Sequence, residues 1–288
     1  MMQTAAAEQT EHTSLKDLIA QEITSENFQL PVFNNVALKL QESLSDEDVG
    51  IEKIEELILE DPALASQILK TANSAFYRGL GDIKTIKHAV LRLGSQQVVN
   101  IAMLVSQKQS YSTKDPLIRQ QMDALWQHSF ASAIGCRWVF QKFGGDPCVA
   151  FLSGLLHDIG KLGVLKVIEH IRSEKLMDQE ITDKSITGIL NGPTHTECGY
   201  ILAKAWNIPE PFGLVIRDHH ETPKGEHKTL LLAVRLMNVV TEQMGMGVRD
   251  TDEACSYSSA EATALGLSEI QLAELEIHIE DTLENTDI

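Results

Sequence analysis

Apolar residues recur at the spacing of an α-helix along most of this chain, and no stretch alternates at the two-residue period of a strand for long enough to need a sheet. In the clearest case Trp126, Phe130, Ile134 and Trp138 follow one another at every fourth position. Such a stripe covers one face of a helix, and that face must be buried against other elements. The sequence therefore predicts an all-α fold, a helical bundle.

Polar residues interrupt the helical pattern between Ser110 and Pro116, and the interruption predicts two helical lobes. The apolar helix around residues 98–105 is expected to pack one lobe against the other. The predicted organisation is a disordered N-terminus over residues 1–13, an N-terminal helical lobe over 14–112, a second helical lobe over 113–247 and an acidic helical extension over 248–288.

Several helix ends can be predicted from capping residues. Ser14 is expected to cap a first helix, and Asp61 followed by proline is expected to start another that ends near Tyr77. Thr194 and Glu197 have the spacing of a capping box, which places the intervening histidine in the first turn of a helix.

Composition excludes several classes of protein. The chain has 288 residues, 43% of them hydrophobic, and a net charge of -17, so direct binding to nucleic acid is not expected. No apolar run reaches the length of a membrane span and the polar N-terminus is unlike a signal peptide, so we expect no membrane association and a cytoplasmic location. The four cysteines lack the CxxC spacing of a structural zinc site.

One apolar run carries an adjacent histidine and aspartate, His157 and Asp158, with Lys161 three positions later. On a helix, successive residues point about 100° apart, which suits two ligands of one ion or a carboxylate that bridges two ions. The simpler interpretation is a capped histidine beside an Asp–Lys pair.

Other histidines extend this pair into a set of candidate metal ligands on, or at the ends of, predicted helices. The set is His128, His157, Asp158, His195, His219 and His220. Imidazole and carboxylate without thiolate favour Fe, Mn, Ni or Zn over Ca or a structural zinc ion. We expect the six side chains to converge on one cavity; separate capped histidines are the alternative.

With these residues in view, the chain resembles the HDOD domain, the HD-related output domain of bacterial signalling proteins, which is a helical relative of the HD phosphohydrolases. The resemblance runs from Leu30 to about Glu242. Its motifs lie at residues 30–31, 60–64, 72–77, 89–94, 126–129, 154–161, 195–199, 206–209 and 218–220. It implies a two-lobed helical fold of the HDOD and HD type.

The resemblance also implies roles for single residues. HD hydrolases bind one or two metals through an early histidine, the His–Asp pair and a distant aspartate, and the HD-GYP phosphodiesterases add histidines that His195, His219 and His220 match. Lys161 matches a lysine that contacts the substrate phosphate. At the distant aspartate this chain has Asn238, a vestigial ligand position, and after Glu221 it lacks the Gly-Tyr-Pro signature.

Two functions follow from the resemblance. The first is a non-catalytic signalling module that acts through contacts with a signalling protein, with a bound metal or a nucleotide second messenger as a further ligand. The alternative is a metal-dependent phosphohydrolase acting on a nucleotide or cyclic dinucleotide, with Asp158 and Lys161 as catalytic residues. A nucleotide receptor without chemistry lies between them. Asn238 leaves Asp158 as the only carboxylate in the set, so a single divalent ion and an empty, hydrogen-bonded site both fit.

Overall fold

The computed structural model describes residues 14–25, 35–44, 49–74, 82–248 and 260–284, and all regular structure in these ranges is helical. The helices are α1 Leu15–Thr24, α2 Asn35–Ser43, α3 Ile51–Leu59, α4 Pro62–Ala72, α5 Ile86–Leu93, α6 Ser95–Ser110, α7 Pro116–Phe143, α8 Pro147–Leu156, α9 Ile159–Ser173, α10 Asp183–Leu190, α11 Thr194–Ala205, α12 Glu210–Asp218, α13 Lys228–Gln243, α14 Ala260–Leu265 and α15 Glu269–Glu284. The predicted all-α fold is confirmed. The predicted disordered residues 1–13 lie outside the described ranges.

Asp–Pro pairs start three of the helices. Asp61, Asp115 and Asp146 are the N-caps of α4, α7 and α8, and the carboxylate of each accepts a hydrogen bond from a backbone N–H of the first turn. Proline follows each cap, where its missing N–H costs nothing. The predicted cap at Ser14 is also confirmed.

The buried apolar side chains form one continuous core, at whose centre α6, α7, α8 and α9 pack. Buried amides connect α6 to α8: Asn100 donates to the carbonyl oxygen of Cys148 at 3.1 Å, and Gln107 donates to that of Leu155 at 2.9 Å. Helix α6 thus joins the N-terminal helices to the second half of the chain, while α1 packs against α9. The division into lobes at residue 113 stays a prediction.

Two glycines allow helices to approach closely beside the His–Asp pair. A Cβ atom at Gly154 would lie 2.5 Å from the carbonyl oxygen of Ser132 on α7, and one at Gly160 would lie 1.8 Å from that of His195 on α11. The backbones of α7, α9 and α11 are therefore held near the junction between α8 and α9.

Three predicted helix boundaries are wrong. His157 and Asp158 do not lie within one helix: α8 ends before His157, and Asp158, with φ -101° and ψ 16°, precedes α9. Thr194 is not an N-cap, because α11 begins at Thr194 after Pro193 and has no side-chain cap. Helix α4 ends at Ala72, whereas the predicted end near residue 77 lies outside the described residues.

Among the described residues, the stretch Pro147–Ser173 is long and apolar enough to cross a membrane by length and composition. Asp158 and Lys161 interrupt its apolar residues, so no uninterrupted apolar run of this length is visible in the sequence. Its most apolar window is 83% buried within the fold, as in the core helix of a soluble protein. The cytoplasmic location stays a prediction.

Candidate metal centre

The structure brings all six predicted ligands together, although they lie on four segments of the chain. His128 lies in the middle of α7, and His157 and Asp158 form the junction between α8 and α9. His195 lies in the first turn of α11, and His219 and His220 follow the end of α12. Five of the six are buried and His220 is exposed, so the cluster reaches the surface at His220.

The first group of ligand atoms lies between α7, the α8–α9 junction and α13. The Nε2 atoms of His128 and His157 are 3.1 Å apart, and they lie 3.3 Å and 3.5 Å from Oδ2 of Asp158. Oδ1 of Asn238 is 3.0 Å from Nε2 of His157, so this amide takes the place of a further ligand. The ammonium of Lys161 contacts the same Oδ2 of Asp158 at 2.6 Å.

The second group lies on the other side of Asp158. Nε2 of His195 is 3.3 Å from Nε2 of His219 and 3.1 Å from that of His220. Oδ1 of Asp158 lies 3.5 Å from His195 and 3.4 Å from His219. The carboxylate of Asp158 therefore has one oxygen facing each group, as a bridging ligand would.

Backbone carbonyls determine which nitrogen of three of the imidazoles carries the proton. Nδ1 of His157 lies 2.8 Å from the carbonyl oxygen of Gly154. In the same way, Nδ1 of His195 faces Gly192 at 2.7 Å and Nδ1 of His219 faces Ile216 at 2.9 Å. A carbonyl oxygen only accepts, so each Nδ1 donates and each neutral ring keeps its Nε2 lone pair for the cluster.

A side chain that the sequence analysis missed orients the fourth imidazole in the same way. The hydroxyl of Thr241 donates to the carbonyl oxygen of Met237 at 2.6 Å, so it accepts from Nδ1 of His128 at 3.0 Å. Thr241 lies three positions after Asn238 on α13, a spacing that places both residues on the same face of the helix and could have identified Thr241 from the sequence. The Nε2 lone pair of His128 therefore also points into the cluster.

Burial keeps these histidines neutral and ready to act as ligands. Desolvation lowers the pKa of His128 and that of His195 to about 4, against the partly compensating charge of Asp158. Burial acts to raise the pKa of Asp158, but the charge of Lys161 and the contacts with His157 and His128 hold it well below its usual range. At neutral pH His128 and His195 are therefore neutral and Asp158 is a carboxylate, the protonation states that metal binding requires.

The cluster fits a divalent cation better than it fits a set of hydrogen bonds. Oδ1 of Asp158 is buried and has no hydrogen-bond partner. His195 and His219 both keep their Nε2 lone pairs, and these face each other at 3.3 Å, an arrangement that lacks a donor. Ligand atoms bound at about 2.1 Å around one tetrahedral ion are separated by about 3.4 Å, which is close to the distances in both groups.

Comparison with known proteins identifies a family for the part of the chain that carries this cluster. A model of the HDOD domain matches residues 30–222, so the match ends just after His220 and before Asn238 and Thr241. An uncharacterized protein from Treponema pallidum (strain Nichols) is 27% identical over 274 residues, which cover 91% of this chain and 50% of that protein. The chain thus spans about half the length of the curated relative that it matches.

Three solved structures share the fold. An HDOD domain protein with unknown function from Geobacter sulfurreducens is 22% identical with a TM-score of 0.69, and the match covers 95% of this chain and 98% of that chain. A candidate metal-dependent phosphohydrolase from Shewanella amazonensis SB2B is 21% identical with a TM-score of 0.66, covering 92% and 99%. A candidate signal transduction protein from Marinobacter aquaeolei VT8 is 21% identical with a TM-score of 0.67, covering 97% and 67%. The family model extends over most of the helices and over every predicted metal ligand, and the chain belongs to the HDOD family.

Proposed function

We propose that this protein is an HDOD signalling module that binds a single divalent cation in its histidine–aspartate cluster and acts through contacts with another signalling protein. The observation that carries the proposal is the buried, unpartnered Oδ1 of Asp158, which faces the Nε2 atoms of His195 and His219 at 3.5 Å and 3.4 Å. Its membership of a family of signalling proteins supports the protein contacts. A nucleotide second messenger is the alternative signal.

The second group is the better site for one ion. It offers the Nε2 atoms of His195, His219 and His220 together with the unpartnered Oδ1 of Asp158. In the first group, Oδ2 of the same carboxylate already contacts the ammonium of Lys161 at 2.6 Å. A cation at the first group would lie beside that positive charge, so we assign the first binding event to the second group.

The charge of the cluster opposes a second ion. Asp158 is the only carboxylate among the described ligands, and Lys161 offsets its charge. Asn238 supplies a neutral amide oxygen in the first group. Two divalent ions would leave several positive charges without partners in a buried site, which is costly.

Metal content of single-histidine variants tests this proposal. After chelation and reloading with Mn, Fe, Ni or Zn, the wild type should hold one ion per chain by elemental analysis. His195→Ala should lose that ion, whereas His128→Ala should keep most of it, because His128 belongs to the other group. His278→Ala, on the exposed side of α15, is the control. A wild type that holds no ion, or two ions, after reloading would refute the proposal.

A second function, a metal-dependent phosphohydrolase, is favoured by Asp158, which has one oxygen toward each group, and by Lys161 beside it. A bound divalent cation supplies Lewis acidity toward a phosphoryl oxygen. The Lys161 side chain is 14% exposed and its ammonium would offset phosphoryl charge. A screen of nucleotides and cyclic dinucleotides separates the two functions. Robust turnover that Asp158→Ala abolishes would establish the hydrolase and exclude a signalling role without catalysis.

A further inference from the structure

Arg235 on α13 holds the turn that carries two of the metal ligands. Its Nη1 donates to the backbone carbonyl oxygens of His220 at 2.9 Å and of Glu221 at 3.0 Å. The other side of the guanidinium, through Nε and Nη2, donates to Oε1 of Glu261 at 3.0 Å and 2.9 Å. One side chain thus connects the turn after α12 to α14.

The turn needs such a donor because it follows the end of a helix. Helix α12 ends at Asp218 with His219 as its C-cap, so the carbonyl oxygens of His220 and Glu221 lie beyond the hydrogen-bond ladder of the helix. A positively charged donor near the last turn also interacts favourably with the negative end of the helix dipole. The carbonyl oxygen of Ile216 instead accepts from the His219 ring, and Glu221 N–H donates back to Asp218. Arg235 is therefore the contact that holds the His220 and Glu221 backbone from outside the turn.

Glu261 orients the guanidinium from a part of the chain that the HDOD match does not include. The match ends at residue 222, whereas Glu261 lies in α14. The Arg235 and Glu261 side chains are 28% and 13% exposed, so the ion pair is largely shielded from water. Helix α15 anchors this C-terminal segment, because Leu275 and Ile279 are fully buried and Ile279 lies beside Gly135 of α7.

We propose that Arg235 is a positioning residue for His219 and His220, and that Glu261 of the C-terminal segment holds it in place. This inference rests on the proposed metal site and extends it, since it gives α14 a role in positioning two of the ligands. Arg235 contacts neither the imidazoles nor Asp158; it acts through the backbone of the turn. Its effect should therefore fall on the second group of ligands and leave the first group unchanged.

Metal affinity of Arg235→Met and Glu261→Ala tests the inference, with Arg172→Met as the matched control. Arg172 pairs with Asp115, and the two side chains are 31% and 15% exposed, almost the same burial as the Arg235 pair. Loss of an outer contact that orients a ligand weakens metal binding by about 10–100-fold. We expect a loss in this range for Arg235→Met and Glu261→Ala by calorimetric titration with Zn²⁺, and less than a twofold change for Arg172→Met.

A conservative variant separates positioning from a general loss of stability. Glu261→Gln keeps an oxygen that accepts from the guanidinium, so its affinity should lie between those of the wild type and Glu261→Ala. The visible spectrum of bound Co²⁺ should change in Arg235→Met and not in Arg172→Met, because only the first alters ligand geometry. Equal losses in Arg235→Met and Arg172→Met would overturn the inference.

Amide hydrogen exchange of the metal-free protein tests the role of Arg235 whether or not the protein binds metal. Arg235→Met should speed amide exchange in residues 216–222 and leave residues 154–161 unchanged. If the wild type binds no metal, the proposed function fails, and the exchange measurement still decides whether Arg235 holds the turn. Unchanged exchange in residues 216–222 would overturn the inference whatever the metal content.

Discussion

Substituting Gly160 should test how closely the ligand-bearing helices must approach. Gly160 lies in the first turn of α9, against the start of α11. In Gly160→Ala the new Cβ would lie 1.8 Å from the carbonyl oxygen of His195 and 2.5 Å from the backbone nitrogen of Gly199. Non-bonded atoms pack at about 3.5 Å. Backbone atoms cannot rotate away as a side chain can, so α9 and α11 must separate by more than about 1 Å.

The change in the free energy of unfolding of Gly160→Ala has two contributions, overpacking and helix propensity. Overpacking against backbone atoms should lower the free energy of unfolding by about 3 kcal/mol, the upper end of the usual range. The better helix propensity of alanine offsets about 1 kcal/mol of this, which leaves about 2 kcal/mol. For a chain of this size that corresponds to a fall in Tm of about 4–8 °C. Because His195 moves with α11, metal affinity should fall as well.

Thermal unfolding of Gly160→Ala beside Gly188→Ala is the assay. Gly188 lies in α10 with no atom within 4 Å of a Cβ built there. The control variant, Gly188→Ala, should therefore be more stable by about 1 kcal/mol, which corresponds to a rise in Tm of about 2–4 °C. Equal Tm values and equal metal content for the two variants would show that the close approach of α9 and α11 does not constrain the site.

Three further results are expected. Asn238→Asp places an anionic oxygen in the first group, where the amide oxygen lies 3.0 Å from Nε2 of His157, so the first group should then also bind metal and raise the metal content; unchanged metal content would show that Asn238 is structural. Asp158→Ala removes the only carboxylate of the cluster and should abolish metal retention by elemental analysis, and a variant that retains its ion would contradict the ligand assignment. Burial raises the pKa of Asp115 but the hydrogen bond and charge of Arg172 lower it below its usual value, so its stabilisation is present above the unfolded pKa and is lost as pH falls through the folded one. Asp115→Asn should therefore lower the urea midpoint at pH 7, with a deficit that narrows toward pH 3; a deficit independent of pH would exclude the ion pair as its cause.

Much of the fold was predictable because its signals are local. The Asp–Pro cap of α4 and the four-residue stripe of α7 each depend on residues within a single helix. The errors arose where tertiary packing outweighs local pattern. Thr194 has the residue type of an N-cap, yet Pro193 precedes it and α11 begins at Thr194 itself. The spacing of residues 194–197 does not show this, because Pro193 already has helical dihedral angles, φ -70° and ψ -10°, and leaves Thr194 inside the helix.

For the candidate site too, the sequence determines some features and the tertiary structure determines others. The amino-acid sequence by itself supplied the ligand types and the His157–Asp158 pair, because imidazole and carboxylate chemistry is visible in single residues. Only the tertiary structure decided that Asp158 has one oxygen toward each group of histidines and that Lys161 contacts just one of those oxygens. It also decided that Thr241 orients His128 across 113 positions of the chain. Distances between residues so far apart depend on how helices pack, and helix packing depends on side chains from the whole core at once.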